Sequence, residues 1–510
     1  MDLKTALHLT VQRNPGYDAI VDGDKRYTRA KWGERIYRLA DSLRMLGVEK
    51  GERVVVFLRN REQTVTAMMA LHCIGAIAVM CNPKSVTERI KYFLKDTGAR
   101  GIIVEEDTAQ PARDALTSFP QCNIQISIDP ENPTRDHWLS FEKLIEDGDN
   151  REPDVDVDPD DLGIIIYTSG TTGEPKGVPI THSMSFHRTA ANAIGQGCHY
   201  QKEIPKVIGL MPLFHTVGIH GVFLHALLFD GSYYPVCDFH PDDVIYLIEK
   251  EKITHIFASP THYHAMLNSK TWDSTKVSSI TNAQFGGALM PENQLKINVQ
   301  QFTHNFGNAY GSSEMYFMGF LSECLRQPGA VAPSIFQNVR VVKPGGSPED
   351  VVKIGEEGEI IADLRGPESF NGYWNKPQKT AEVCRNGWYY TGDAAVLLEG
   401  GLIYITGRTD DMIITGAENI HPAEVEAIAM KYPGVLDAAV VGVPDDRWGQ
   451  VVKAFVVRKD ESVSAEKLDK YFKDSPEIEN WKRPKLYEFV DLLPRTPSGK
   501  VQKFLLRSMK

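Results

Sequence analysis

Short apolar runs alternate with helix-period segments through most of the chain, and this alternation limits the fold more than any other feature of the sequence. Val54-Val55-Val56-Phe57-Leu58 precedes a helical pattern from Thr64 to Val79, and Gly101-Ile102-Ile103-Val104 follows. Runs that are apolar at every position belong to strands covered on both faces, so the pattern predicts βαβ units around a largely parallel sheet. Further strands are expected at Leu162 to Tyr167, Val207 to Leu210, His255 to Ala258 and Ala283 to Phe285, each ending in a loop rich in Gly, Pro, Ser or Thr. Ligands of open α/β sheets sit beyond the carboxyl ends of the strands, so functional residues are expected in those loops.

From about Val331 the texture changes to Gly-rich, alternating short strands (Val339 to Val342, Glu359 to Ile361, Leu402 to Ile405), which reads as a β-rich subdomain. After Gly407-Arg408-Thr409-Asp410-Asp411 it changes again. His421-Pro422-Ala423-Glu424-Val425-Glu426 has the Pro at N1 and the acids in the first turn that start a helix. Ala438 to Val443 and Ala454 to Val457 read as strands of a compact α+β unit. The expected fold is α/β: a large N-terminal domain over residues 1–409, with parallel-rich sheets, flanking helices and the β-rich subdomain, then a small α+β domain over 410–510. A length of 510 residues agrees with more than one domain.

The composition removes several function classes. With 56 Lys plus Arg against 67 Asp plus Glu, the formal charge is -11, and no basic run offers a nucleic-acid surface. The same acidity opposes docking on anionic lipid. Seven cysteines without a C-x-x-C pair suit reduced, buried thiols better than a disulfide or zinc framework. No run reaches the roughly 18 apolar residues of a membrane helix; the richest, Val222 to Phe229, is short and contains His225. The start, Met1-Asp2-Leu3-Lys4, has no apolar leader core, so the expected address is the cytosol, with no integral membrane association.

The strongest local signal is Tyr167-Thr168-Ser169-Gly170-Thr171-Thr172-Gly173-Glu174-Pro175-Lys176-Gly177, directly after a buried strand. Its glycines let the backbone approach a ligand closely, its hydroxyls and N–H groups can bond phosphate oxygens, and Lys176 adds a point charge. It differs from a Walker A loop, which needs Gly-Lys-Ser/Thr; here Pro175 precedes the lysine and Gly177 follows it.

At this point the chain resembles the adenylate-forming superfamily of acyl- and aryl-CoA synthetases, luciferases and peptide-synthetase adenylation domains. The likeness spans nearly the whole chain. Asn308-Ala309-Tyr310-Gly311-Ser312-Ser313-Glu314 looks like the Y-G-x-T-E segment, and Tyr390-Thr391-Gly392-Asp393 like the ribose-binding T-G-D. Gly407 to Asp411 is similar to the hinge motif, and Pro494-Arg495-Thr496-Pro497-Ser498-Gly499-Lys500 to the motif of the catalytic lysine. The resemblance implies ATP, Mg²⁺ and CoA as co-reactants of a small carboxylic acid. A carboxylate attacks the α-phosphorus of ATP, and a thiol then displaces AMP from the acyl-adenylate. Lys500 would bridge the carboxylate and the α-phosphate, Glu314 would hold Mg²⁺, Tyr310 would stack on adenine, and Asp393 and Arg408 would bond the ribose. Thr168, Ser169, Gly170, Thr171, Thr172, Gly173 and Lys176 would cradle phosphate, and Gly287, Ala288, Asn308, Ala309, Gly311, Ser313 and Ile405 would complete the nucleotide site. The C-terminal domain becomes a mobile lid hinged at Asp410. His215, in Met211-Pro212-Leu213-Phe214-His215, resembles the gate between acyl pocket and thiol tunnel.

Within the superfamily the chain is most like bacterial 4-chlorobenzoate-type CoA ligases, on Ser259-Pro260-Thr261-His262, Asp446-Arg447-Trp448-Gly449-Gln450 and Lys482-Arg483-Pro484-Lys485 among other segments. That likeness implies a CoA site at Gly416, Ala417, Trp448, Trp481 and Arg483. Ala417 replaces the usual second glycine and adds a methyl to the thiol path; Ser313 replaces the usual threonine and keeps the hydroxyl. An acyl pocket is expected from Phe186, Ala191, His215, Phe257, Gly287, Ala309, Gly311 and Tyr316, mostly apolar, which suits an uncharged aromatic, alicyclic or medium-chain monocarboxylate. The rival reading is a stand-alone adenylation enzyme that loads a carrier protein; a homodimer is compatible with either. His215, His220 and His225 do not share a helical face, so no metal site is expected there, and His220 and His225 are read as satisfied core residues.

Overall fold

Val54 and Val56 face one way from their strand and Val55 and Phe57 the other, the two-residue alternation of an extended chain. Both faces are apolar, so both are covered. The computed structural model describes residues 1–129, 138–168, 175–198, 204–415, 418–445, 448–496 and 499–509, apart from the side chains of 410, 418 and 419. Among these residues, one sheet has seven strands, in the order Leu139–Ser140, Ile124–Ser127, Gly101–Val104, Arg53–Phe57, Ile77–Met80, Leu162–Thr168, Lys176–Thr181. All neighbours are parallel except the last pair.

The helical pattern expected from Thr64 to Val79 is shorter than the sequence suggests. The helix is Glu62–Cys73; Gly75 turns at φ +68, and Ile77–Met80 is a strand between Arg53–Phe57 and Leu162–Thr168. A continuous apolar run carries no period of its own, so only the glycine marks where helix stops and strand starts.

A second sheet contains the parallel strands Ser232–Pro235, Lys206–Gly209, His255–Ala258, Asn282–Gly286 and Phe306–Tyr310, then continues through antiparallel strands into the β-rich region that includes Glu357–Asp363, Trp388–Leu397 and Ile403–Arg408. The largest core joins the two sheets, with Val54 and Ile164 from the first, Val207 and Phe257 from the second, and Trp32, Met68 and Phe223 between them. Each outer face has its own helices and core. The N-terminal part is thus layered helix, sheet, helix, sheet, helix.

The last hundred residues have a separate sheet, in which Val435–Asp445 and Gly449–Arg458 form a long antiparallel hairpin. Ala438, Val440 and Ala454 pack on one side with the helices Pro422–Ala429 and Ala465–Asp474; Ala439, Val441 and Phe455 pack on the other with Leu506. Among the described residues no helix is long and apolar enough to cross a membrane.

Candidate active site

The antiparallel pairing of Leu162–Thr168 with Lys176–Thr181 sets Thr168 opposite Lys176, so the Gly/Ser/Thr-rich segment leaves and returns at one point. Ser169, Gly170, Thr171, Thr172 and Gly173 lie outside the described residues. Lys176 Nζ stands 4.4 Å from the Tyr373 ring centre and donates to its hydroxyl at 3.2 Å. That hydroxyl donates to Glu314 Oε1 at 2.7 Å. Burial and the Glu314 carboxylate hold the Tyr373 phenol well above its ordinary pKa, so it stays a donor. A lysine from one sheet is thereby tied to a buried carboxylate at the end of the other.

A second cluster lies where the parallel strands pass into the β-rich region. Asp393 and Arg408 are cross-strand partners. Tyr310, closing its strand, donates to Asp393 Oδ2 at 2.5 Å, while Arg408 Nη1 reaches Asp393 Oδ1 at 3.1 Å and the Thr391 carbonyl at 2.7 Å. Burial and Asp393 push the Tyr310 phenol far up. Gly392 has φ +70, so the T-G-D segment needs its glycine for conformation, and a Cβ there would also press on Arg408 Nη2 at 2.8 Å and shift that side chain. Ile405 lies on the strand of Arg408. Asn308 is buried and donates to the Ala330 carbonyl at 3.2 Å, a bond that joins strands. Gly287 and Ala288 are exposed at the end of Asn282–Gly286, and Ser313 is half-buried.

Gly311 sits so close to Tyr316 that a Cβ would fall 1.3 Å from the Tyr316 carbonyl oxygen. Tyr316 itself has φ +55, and its buried hydroxyl has no hydrogen-bond partner among the described residues. Ala191 and Tyr316 share an apolar cluster that Ala309 borders, and a Cβ on Gly221 would touch both the Tyr316 hydroxyl and the Phe257 ring. These expected pocket residues are therefore neighbours. Phe186 is half-buried, edge-on to His187.

The sequence reading missed Tyr373 and the network beneath the site. Arg188 is fully buried and donates to the carbonyls of Glu314 and Glu368, at 3.1 and 2.8 Å, and to Thr216 Oγ1 at 3.4 Å. Burial lifts the Glu368 carboxyl well above the carboxylate range even with Arg188 nearby. The signal was present: His182, Ser185, Arg188, Thr189 and Asn192 form a buried polar stripe at helical period on His182–Gly195, and polar groups on the inner stripe of a helix require partners.

Lys500 arrives from the small domain. Gly499 packs on Ser259, its Cβ position 3.3 Å from the serine Oγ, and the loop is closed by bonds between Thr496 and Lys500. His215 Nε2 is buried without a hydrogen-bond partner among the described residues. Burial, then the positive charge of Lys500, hold His215 down at about 4, so the ring is neutral at physiological pH. His421 reaches Glu357 at 2.8 Å and forms a second link between the domains.

The residues expected to hold CoA are less alike. Trp448 and Trp481 are 45% and 39% exposed. Arg483 instead turns inward and pairs with Asp469 at 3.1 Å, with 14% of its side chain exposed. Gly416 and Ala417 lie outside the described residues, as does the side chain of Asp410. His215, His220 and His225, read as not sharing a helical face, have separate surroundings: a π-helix, Val217–Phe223, replaces the assumed α-helix, His220 bonds Thr216 and Ser185, and His225 faces Cys198. The core role read for His225 is only half satisfied, since its buried Nδ1 has no partner among the described residues.

Residues 7–374 match the family model described as "AMP-binding enzyme", and residues 424–500 that described as "AMP-binding enzyme C-terminal domain". A 4-chlorobenzoate–CoA ligase of Arthrobacter sp. is 34% identical over 514 aligned positions, covering 99% of this chain and 95% of the relative. ATP-bound MatB of Rhodopseudomonas palustris superposes with a TM-score of 0.89 at 25% identity, covering 99% of this chain and 98% of that one. An o-succinylbenzoate CoA synthetase of Bacillus subtilis, in complex with its acyl-adenylate intermediate, superposes with a TM-score of 0.83 at 26% identity, covering 99% and 98%.

Proposed function

Because the chain belongs to the AMP-binding enzyme family, in its acyl- and aryl-CoA ligase branch, we propose that it joins an uncharged aromatic, alicyclic or medium-chain monocarboxylate to CoA in two steps, in the cytosol. The observation that carries the reading is the seating of the Lys500 loop on Ser259, with its charge felt at His215, in a chain that also assembles the Lys176–Tyr373–Glu314 and Tyr310–Asp393–Arg408 clusters.

In the first step the substrate carboxylate attacks the α-phosphorus of ATP and pyrophosphate leaves. Two anions converge, so catalysis needs positioning and neutralisation of charge. Lys500 supplies the charge at the bond being made, and Lys176 with the segment 169–174 holds the leaving phosphates. Glu314 would hold Mg²⁺; a buried carboxylate with one oxygen already oriented by Tyr373 fits a hard cation that also takes phosphate and water oxygens. The ion would neutralise phosphate charge. Asp393 and Arg408 would bond the ribose and Tyr310 would lie against the base. Both carboxylate oxygens of Asp393 are already engaged, so ribose binding shares or replaces a bond in a fixed array.

In the second step the thiol attacks the acyl carbon and AMP leaves. We place residues 1–409 in the nucleotide-binding domain and 410–510 in a lid that turns about Asp410 between the steps, removing Lys500 and bringing Trp448 and Trp481 toward the thiol path. Neutral His215, near enough to Lys500 to feel its charge, suits a gate that carries no charge.

A second reading, transfer to a carrier protein, shares the adenylation motifs and has no need of Trp448, Trp481 and Arg483; Arg483 lies inward, its Nε 3.1 Å from Asp469 Oδ1, with Nε and Nη1 buried and without a hydrogen-bond partner among the described residues. The test is a panel of monocarboxylates scored for ATP-dependent AMP release, with CoA, with pantetheine and without thiol. AMP release that rises with CoA more than with pantetheine supports the ligase; release indifferent to CoA supports the carrier; ADP in place of AMP rejects both.

A further inference from the structure

The end of helix His182–Gly195, the short helix Leu224–Leu228 and the first residue of strand His255–Ala258 bring Cys198, His225 and His255 together. One ligand atom from each lies within 4.8 Å of the others. The thiol sulfur is 3.7 Å from His225 Nε2 and 3.6 Å from His255 Nε2. With metal–sulfur and metal–nitrogen bonds of about 2.3 and 2.0–2.1 Å, a tetrahedral site requires sulfur-to-nitrogen edges of about 3.6 Å. Both imidazoles are buried, at 1% and 6% exposure, while Cys198 is half-buried. His225 presents Nε2 to the sulfur, so the ring nitrogen that faces the cluster is the one a metal would take.

We infer that Cys198, His225 and His255 form a binding site for a thiophilic divalent ion of the zinc class. One thiolate and two imidazoles are the donor set of such ions, whereas Mg²⁺ and Ca²⁺ take oxygen. Binding releases the thiol proton to solvent. Among the described residues, Asn282 Nδ2, 2.9 Å from His255 Nε2, and Gln196 Oε1, 3.8 Å from the sulfur, must yield or turn. Thr254 Oγ1, 2.8 Å from His255 Nδ1, is placed to orient the ring from behind, as partners of metal-bound histidines do. Sequence spacing hides the site, because its residues stand 27 and 30 positions apart and no C-x-x-C or H-x₃-H pattern announces them. The site lies at the start of strand His255–Ala258, while Ser259, which meets the Lys500 loop, follows its other end. The ion would brace the fold and take no part in catalysis, so this inference does not depend on the proposed reaction.

The test is titration of the full-length, thiol-reduced protein with Co²⁺, followed in the near-ultraviolet and visible, then displacement by Zn²⁺. We expect one equivalent per chain with a thiolate-to-cobalt charge-transfer band, reversed by Zn²⁺, and a melting midpoint raised by Zn²⁺. Cys198→Ser should abolish the band and the Zn²⁺-dependent rise; His225→Gln should weaken cobalt binding at least tenfold. An unchanged band in Cys198→Ser, or wild-type protein that binds no stoichiometric Co²⁺ or binds it without the band, overturns the site. The wild-type result decides even if a variant fails to fold.

Discussion

The two halves of the active centre are built differently. On the N-terminal side the polar residues hold one another: Lys176 to Tyr373 to Glu314, with Arg188 on the Glu314 carbonyl, and Tyr310 to Asp393 to Arg408. On the C-terminal side Lys500 is exposed at a loop end, and the two tryptophans are open to solvent. The first arrangement is held by its own hydrogen bonds, so little order should be lost on binding, as suits a rigid site that positions a nucleotide. In the proposed reaction the second would take up its task as the small domain turns, so that one domain would serve both steps. The contrast predicts that N-terminal substitutions change ATP use together with stability, and C-terminal ones change a single half-reaction with little effect on folding.

Lys500→Ala should give the largest effect. Loss of a charge aimed at the transition state costs on the order of 3–4 kcal/mol, so carboxylate-dependent pyrophosphate release should fall roughly 10²- to 10³-fold while transfer from a supplied acyl-adenylate to CoA stays near wild type. Equal losses in both half-reactions would erase the division between the halves. Asp393→Ala comes next. It leaves Tyr310 and Arg408 without their shared carboxylate, and hydrogen bonds to charged groups are worth about 1.5–3 kcal/mol, so the KM for ATP should rise tenfold or more and the melting midpoint should fall. A normal midpoint with a raised KM would mean that the N-terminal array is no more self-supporting than the lid.

Trp448→Ala and Trp481→Ala should act on the other half alone. Stacking on a base is worth about 1–3 kcal/mol, so each should raise the KM for CoA by roughly tenfold, with pyrophosphate release unchanged and pantetheine use unaffected. Equal losses with both thiols would assign the indoles to the fold. The smallest effect on the active centre should come from pH. Burial holds His182, His215 and His262 near 4, below the ordinary 6.5, so the unfolded chain binds protons that the folded chain refuses, and stability falls as pH drops from about 6.5 toward 4. Glu368 works in the opposite sense, since its raised folded value favours folding at the acidic side of its titration. Among the described residues seven imidazoles are held low, His72, His220, His225 and His255 besides these three, against four raised carboxyls, Glu62, Asp129, Glu359 and Glu368, which leaves a net loss, and the melting midpoint should drop by a few degrees between pH 7 and 5.5. A midpoint that is flat or rises on acidification would contradict the neutral, buried imidazoles.

Much of this architecture is legible in the chain. The doubly apolar strands around Val54 and Ile164 announce a covered sheet, and the glycine of Tyr390-Thr391-Gly392-Asp393 marks the backbone approach that the structure shows at Arg408. What was not legible depends on long-range placement. The strand Ile77–Met80 merged with its preceding helix because apolar runs have no period, and the π-turns at Val217–Phe223 broke a 3.6-residue argument. Tyr373 and Arg188 matter through partners 59 and 126 positions away. Arg483 shows the reverse: a residue type suited to phosphate that the fold turns toward Asp469.

The claim that one centre makes an acyl-adenylate before it meets the thiol is tested most directly by rapid quench of enzyme mixed with ATP, Mg²⁺ and a turnover-competent carboxylate in the absence of CoA, then chased with CoA. The account predicts close to one equivalent of acyl-adenylate per active chain, formed with stoichiometric pyrophosphate and converted to thioester and AMP in the chase. No acyl-adenylate without CoA, or an acyl-adenylate that the chase leaves untouched, would contradict it.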